Sequence, residues 1–294
     1  MPSPYIGRFA PTPSGYLHFG SLLAAVASYL DARQHHGQWL VRIEDLDTPR
    51  NVPGASDHIL RTLDAYGLHW DGDIVYQSER LPLYQQVIDH WLQTGLAYHC
   101  DCSRKTILEQ GGVYPGTCRE RHLPAAPDHA VRVQIAGQPL VFRDRLQGEF
   151  HQTPGGLSGD FIIRRRDGII AYQLAVVVDD IAQRVTDIVR GADLLDSTPR
   201  QLWLYQLLQQ PAPRYLHVPL VMREDGEKLS KRLGSTPLEP RLATATLHRA
   251  LTVLAQDPPP ELASAPVGEQ LAWAVAHWQP QKLPAKRQIP EPRT

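Results

Sequence analysis

The chain has 294 residues, of which 42% are hydrophobic, and its formal net charge is −1. The length allows one large or two modest domains with a proper core, and the near-zero charge excludes a global positive field that would recruit nucleic acid. The sequence shows neither an apolar run of about 18 residues nor the basic, apolar and small-residue order of a signal peptide, so we expect a soluble cytoplasmic protein.

The first predicted unit, at 6–21, is a strand, a turn and the start of a helix. Gly20 would let a backbone approach a ligand, and Ser21 would cap the helix, whose free N–H groups suit a phosphate. His18 lies just before this helix, where an imidazole can bind phosphate oxygens. Spacing alone equally allows a histidine that only satisfies the turn.

A second strand is predicted at 38–47 (QWLVRIEDLD), parallel to the first because a helix connects them. Its carboxyl end carries Glu44, Asp45 and Asp47, and ligands of open α/β sheets bind outside such ends. These carboxylates can hold an ammonium group. They can also form a solvated acidic turn before Pro49.

Three cysteines cluster in the middle of the chain, at Cys100, Cys102 and Cys118. Two thiolates one residue apart and a third further on can form three corners of a tetrahedral zinc site. Ligand chemistry alone favours His99 or His122 as the fourth ligand. Free buried thiols are the alternative interpretation.

Several further elements follow from apolar periodicity and turn residues. One predicted strand ends in a basic turn at Arg164, Arg165 and Arg166. These arginines can contact an RNA backbone, although a run of like charges at a hairpin end is often only solvated. Helices are predicted at 56–67, 83–94, 200–209, 241–255 and 268–277, and strands within 130–148 and at 160–166, 184–192 and 215–221.

The most apolar segment, 169–180 (IIAYQLAVVVDD), is a buried strand or the start of a helix, which periodicity cannot distinguish. Its polar residues Tyr172 and Gln173 need partners, and a ligand is one possible partner. The strand after it ends in Arg190, which can form a bidentate pair with a carboxylate.

A loop at 222–234 (MREDGEKLSKRLG) carries Lys228 and Lys231 between glycines. Two lysines on such a loop can fold over a triphosphate and neutralise charge as pyrophosphate leaves. The tail from Gln279 is Pro-rich and basic, and we expect it to be loose.

Two of these segments resemble the nucleotide-binding motifs of class I aminoacyl-tRNA synthetases in their glutamyl form. Residues 8–20 (RFAPTPSGYLHFG) are similar to the first motif, called HIGH, with Ser21 where that motif ends in histidine. Residues 228–232 (KLSKR) are similar to the second, called KMSKS, with Leu229 for methionine and Arg232 for serine. The resemblance implies a Rossmann-type α/β catalytic domain with a parallel sheet, which binds ATP with Mg²⁺.

The same resemblance implies the residues of the site. Glu44 would hold the substrate α-amino group, and Tyr172 and Arg190 belong to a block similar to the glutamate-selecting half of those enzymes. The implied ATP site is His18, Gly20, Ser21, Lys228, Ser230 and Lys231, with His18 and Lys231 catalytic. The implied L-glutamate site is Arg8, Phe9, Ala10, Pro11, Thr12, Glu44, Tyr172 and Arg190.

The cysteine cluster also has a counterpart in glutamyl-type synthetases. Its pattern, Cys-x-Cys, a gap and then Tyr-x-x-x-Cys, resembles their zinc module, in which the tyrosine hydroxyl is a ligand. The resemblance therefore implies one Zn²⁺ per chain, with His122 as the alternative to the tyrosine. The implied ligands are Cys100, Cys102, Tyr114 and Cys118.

The resemblance covers nearly all of residues 5–238 and implies four parts. These are the first half of the catalytic domain (1–96), an inserted zinc-containing subdomain similar to an acceptor-binding lobe (97–165), the second half (166–238) and a short helical C-terminal lobe (239–294). The long anticodon-binding region of a complete synthetase is missing after the second motif.

Truncated relatives of these enzymes, the glutamyl-queuosine tRNA(Asp) synthetases, lack the same region. The resemblance to them implies ATP-dependent activation of L-glutamate and its transfer to queuosine in the anticodon loop of tRNA(Asp). We expect a monomer. The alternatives are a synthetase that charges a tRNA 3′ end and a non-catalytic sensor of glutamate or nucleotide.

Overall fold

The computed structural model describes residues 4–135, 140–152, 159–222 and 237–290. The helices are α1 (Phe19–Gln34), α2 (Ala55–Ala65), α3 (Leu81–Gln93), α4 (Arg104–Glu109), α5 (Tyr172–Ala182), α6 (Thr198–Leu207), α7 (Ala243–Val253) and α8 (Val267–His277). The strands are β1 (Ile6–Phe9), β2 (Gln38–Ile43), β3 (Val75–Tyr76), β4 (Ala97–Cys100), β5 (Ala130–Val133), β6 (Leu140–Asp144), β7 (Gly148–Gln152), β8 (Phe161–Arg164), β9 (Asp187–Gly191), β10 (Arg214–Val218), β11 (Leu220–Met222) and β12 (Gln288–Pro290). In these residues no helix is both long and apolar enough to span a membrane.

Parallel strands form the centre of the fold. β1 pairs in parallel with β2, as predicted, and β2 pairs with β3. β10 pairs in parallel with both β9 and β6. The segment before β9 lies against β1, because the amide of Thr186 donates to the carbonyl of Ile6 at 2.9 Å. The expected α/β architecture with a parallel sheet is confirmed.

Helix α1 lies in the main core because its apolar residues are buried along most of its length. Leu22, Val26 and Leu30 are fully buried and share a cluster with Trp39 of β2. The same cluster includes Leu251 of α7, so the C-terminal helices pack on the first half of the chain. Burial on two sides explains why α1 is apolar around most of its circumference.

A separate antiparallel sheet, in the order β4, β5, β8, carries the cysteine cluster at the end of β4. Strands β6 and β7 fall within residues 97–165 but extend the sheet of β9 and β10. The segment expected as one insertion thus contributes to two sheets. The four domain boundaries stay a prediction.

Two sequence expectations are resolved or corrected here. The ambiguous segment at 169–180 forms the start of α5 after an extended Ala171. The expectation of a loose tail from Gln279 is wrong as far as Pro290, because β12 pairs in parallel with β11 and Leu283 is buried. The physical reason is that β11 has an open edge and the tail supplies both hydrogen bonds and apolar surface to cover it.

Candidate active site in a cavity at the strand ends

A cavity of about 1050 Å³ opens at the carboxyl ends of β1, β2 and β9. This volume suits two small substrates together, since sites for one drug-sized ligand are roughly 300–1,000 Å³. Lys228, Ser230 and Lys231 lie outside the described residues. Every other predicted ATP or glutamate residue lines this cavity: Arg8, Phe9, Ala10, Pro11, Thr12, His18, Gly20, Ser21, Glu44, Tyr172 and Arg190.

The N-terminus of α1 forms one wall of the cavity. The helix begins at Phe19, and the capping residue is His18, whose Nδ1 accepts the backbone N–H of Ser21 at 3.2 Å. The prediction that Ser21 caps this helix is therefore wrong, because the extended backbone at His18 places its own side chain over the first turn. Burial lowers the pKa of His18, so the imidazole is neutral and can accept this bond.

Arg8 and Glu44 line the cavity and belong to a network of buried charges that continues behind it. Arg8 makes a bidentate pair with Asp180, and Arg42 lies 2.8 Å from Asp180 and 3.3 Å from Glu44. Burial raises the pKa of Glu44, and the nearby guanidiniums of Arg42 and Arg8 oppose that rise. A substrate ammonium group beside Glu44 would stabilise its ionised form further.

One guanidinium nitrogen of Arg190 has no partner among the residues that the structure describes. Its Nε donates to His217, and its Nη2 donates to the Thr198 hydroxyl at 2.9 Å. Its Nη1 is buried and makes no hydrogen bond within the described part of the chain. An unpaired buried donor is costly, and a substrate carboxylate would satisfy it.

Tyr172 lies beside these charges, where α5 begins. Burial raises the pKa of its hydroxyl, and the charge of Arg190 opposes that rise. The hydroxyl therefore stays protonated and can donate to a bound substrate.

The three thiols and Tyr114 also come together. The sulfur atoms of Cys100, Cys102 and Cys118 lie within 4.8 Å of one another, so they can hold a metal ion. The Tyr114 hydroxyl lies 3.5 Å from the Cys100 sulfur and accepts the Cys118 amide at 2.9 Å. Neither His99 nor His122 belongs to the described group of close ligand atoms.

The sequence matches the family described as tRNA synthetases class I (E and Q), catalytic domain, over residues 6–243. The chain belongs to this synthetase family. Two proteins named glutamyl-Q tRNA(Asp) synthetase, from Pseudomonas paraeruginosa and Pseudomonas aeruginosa, are each 57% identical to it. The first match covers 99% of both chains, and the second covers 100% of both.

A solved glutamate tRNA ligase from Elizabethkingia meningosepticum, in complex with its amino acid, has a similar fold. The TM-score is 0.81 at 22% identity, and the match covers 99% of this chain and 67% of that one. A glutamate-tRNA synthetase from Elizabethkingia anophelis gives a TM-score of 0.79 at 23% identity, covering 97% and 67%. These likenesses confirm the expected synthetase fold.

Two charged residues that lie behind this synthetase's cavity and pair with residues lining it were not singled out from the sequence. Arg42 is fully buried on β2, and Asp180 is buried near the end of α5. The available signal was a charged residue within each apolar run, VRI and VVVDD, since buried charges need partners.

The three arginines of the basic turn at 164–166 already have partners within the synthetase. Arg165 lines the cavity and pairs with Asp47 and Asp167, and Arg166 donates to the carbonyl of Asp101. Arg164 lies 3.5 Å from Gln85. Contact between this turn and RNA stays a prediction.

Proposed function

We propose that the protein is a cytoplasmic, monomeric ligase that activates L-glutamate with ATP and transfers it to queuosine in the anticodon loop of tRNA(Asp). The observation that carries this proposal is one cavity that joins a phosphate-binding helix N-terminus at His18 to Glu44 and Arg190. The relatives named glutamyl-Q tRNA(Asp) synthetase, 57% identical over the whole chain, support the choice of acceptor.

The charges of the cavity match those of glutamate. Glu44 takes the ammonium group, and the free Nη1 of Arg190 takes a carboxylate. The Tyr172 hydroxyl at the start of α5 donates to the same substrate. Fixing the amino acid in this way presents its α-carboxylate to ATP and removes much of the entropic barrier to their reaction.

The α-carboxylate oxygen attacks the α-phosphorus of ATP. A new oxygen–phosphorus bond forms, the bond to the β-phosphate bridge breaks, and pyrophosphate leaves. The first-turn amides of α1 and the Nε2–H of His18, which lies 3.0 Å from the Ser21 hydroxyl, stabilise the phosphate charge, while Mg²⁺ enters with ATP as part of that substrate. An RNA hydroxyl then attacks the glutamyl carbonyl, and AMP leaves. Lys228, Ser230 and Lys231 are assigned to the triphosphate from the second motif.

We assign one Zn²⁺ to Cys100, Cys102, Cys118 and Tyr114. The support is the donor set, since three close thiolates are typical zinc ligands and the tyrosine hydroxyl lies among them. This ion would cross-link β4 to the segment around Tyr114 and would shape the neighbouring lobe. The reaction itself uses none of these four residues.

The test uses ATP, radiolabelled glutamate and tRNA(Asp) that carries either queuosine or guanosine at the modified position. Each RNA is prepared with and without its 3′-terminal adenosine. We expect label only on the queuosine RNA, in equal amounts with and without the terminal nucleotide. Label lost with that nucleotide would mean ordinary 3′ charging, and no glutamate-dependent pyrophosphate exchange would mean a sensor.

A further inference from the structure

A buried chain of three side chains connects strand β6 to the cavity. Asp144 Oδ2 lies 2.6 Å from His217 Nδ1, and Arg190 Nε lies 2.9 Å from His217 Nε2. All three side chains are at most 4% exposed. Only Arg190 lines the cavity, so the other two residues can reach a substrate only through it.

Hydrogen-bond chemistry fixes the protons along this chain. An arginine Nε–H can only donate, so His217 Nε2 must accept, and Nδ1 must then carry the proton and donate to Asp144. The other oxygen of Asp144 accepts the amides of Leu146 and Gln147 at 2.9 and 2.8 Å. Burial lowers the pKa of His217 to about 4, which agrees with a neutral ring at physiological pH.

The same contacts leave the Nη1 group of Arg190 available to bind a substrate. Nε is bound to His217, Nη2 is bound to Thr198, and Nη1 is buried without a partner among the described residues. Two anchored nitrogens fix the plane of a guanidinium, and thus the direction of the third. Pre-organised donors of this kind determine substrate affinity more than additional contact area does.

We propose that Asp144 and His217 are positioning residues that orient Arg190 toward a carboxylate of the amino-acid substrate. This inference rests on the proposed function, because it assigns that carboxylate to glutamate. The assignment extends the site beyond the motif residues to β6 and β10, two strands that carry no synthetase motif.

Two substitutions of His217 separate positioning from packing. His217→Asn keeps a donor for Asp144 near the Nδ1 position but removes the acceptor for Arg190. His217→Gln keeps an acceptor near the Nε2 position but leaves Asp144 without its donor. If the proposal holds, the asparagine variant loses glutamate affinity, and the glutamine variant loses stability while it keeps most of that affinity.

The kinetic constants of these variants are measured for adenylate formation, followed as pyrophosphate exchange. For His217→Asn we expect KM for glutamate to rise about tenfold or more, while KM for ATP and kcat stay within about threefold. Asp144→Asn should act in the same direction, because its amide would force the other imidazole tautomer and direct an N–H at Arg190. Asp31→Asn is the control, since Asp31 is another buried carboxylate paired with an arginine, Arg145, outside the cavity.

Proton positions provide a readout that does not depend on activity. Long-range ¹H–¹⁵N spectra should show the Nδ1–H tautomer for His217, assigned by its loss in His217→Asn, and the Nε2–H tautomer in Asp144→Asn. An Nε2–H tautomer in the unmodified protein, or an unchanged glutamate KM in folded His217→Asn, would overturn the proposal. If the tautomers are as expected but the unmodified protein activates no glutamate, the proposed function fails while the orientation of Arg190 stands.

Discussion

Arg8 and Asp180 form a buried bidentate ion pair that joins β1 to α5, with Nε–Oδ1 and Nη2–Oδ2 distances of 3.1 and 3.2 Å. The resemblance assigns Arg8 to the substrate, and the structure shows that two of its three nitrogens are already engaged. Arg8 thus has a structural role in addition to lining the cavity.

Asp180→Asn should destabilise the protein strongly, because it removes the carboxylate that pairs with both Arg8 and Arg42. Loss of one partner in a buried pair costs about 3–5 kcal/mol in the free energy of unfolding, measured by urea titration. Asp257→Asn is the control, since Asp257 pairs with Lys282 on the surface at 2.9 Å. The free energy of unfolding of Asp257→Asn should fall by less than about 1 kcal/mol. Equal losses in the two variants would contradict the structural role of the buried Arg8–Asp180 pair.

His18 can be tested for catalysis separately from its capping role. His18→Asn keeps an acceptor near Nδ1 for the Ser21 amide but has no Nε2 to reach a phosphate. We expect an unchanged melting temperature and adenylate formation slower by about 100-fold. His18→Ala should show the same loss of rate and, in addition, about 1 kcal/mol lower stability. A normal rate in His18→Asn would remove the residue from phosphate binding.

Lys231 is assigned from the KLSKR motif alone. Lys231→Ala should slow adenylate formation by about 100-fold or more, because a cation is removed from the departing pyrophosphate. Glutamate binding, followed by calorimetry, should be unchanged, since the ammonium and carboxylate contacts come from other residues. An activation rate equal to that of the unmodified protein would exclude this role.

Metal content distinguishes the two candidates for the fourth zinc ligand. The purified protein should contain about one zinc per chain by elemental analysis. Tyr114→Phe should lower metal affinity, since the described hydroxyl lies among the thiols, and His122→Ala should not. Removal of zinc by a chelator should lower the melting temperature, because ion binding is coupled to folding. A metal-free protein of unchanged stability would disprove the assignment.

His217 should make stability depend on pH between 6.5 and 4. Burial lowers its folded-state pKa from 6.5 to about 4, so in this range the unfolded chain binds a proton that the folded chain does not. The charge of Arg190 opposes protonation, and the Asp144 bond favours it. The contribution of His217 to the free energy of unfolding is therefore fully present above pH 6.5. This contribution falls by about 3 kcal/mol as the pH is lowered to 4. His217→Gln should lack this part of the slope in urea titrations at stepped pH.

The motif segments predicted the cavity well because local chemistry and chain order determine them. A strand followed by a turn and a helix brings His18 and Gly20 to the carboxyl end of the sheet, and a parallel neighbour brings Glu44 to the same edge. The closeness of the three cysteines was likewise predictable, since they lie near one another in the sequence.

The sequence by itself determined the family, most of the strands and helices and the residues that line the cavity, because motifs and periodicity are local. Tertiary structure decided that the ambiguous segment is helical from Tyr172 onward, that the tail adds strand β12, and that Asp144 and His217 lie behind Arg190. Asp144 and Arg190 are far apart in the chain, and only strand pairing through β10 brings them together. Such contacts depend on packing between distant segments, which local patterns do not encode.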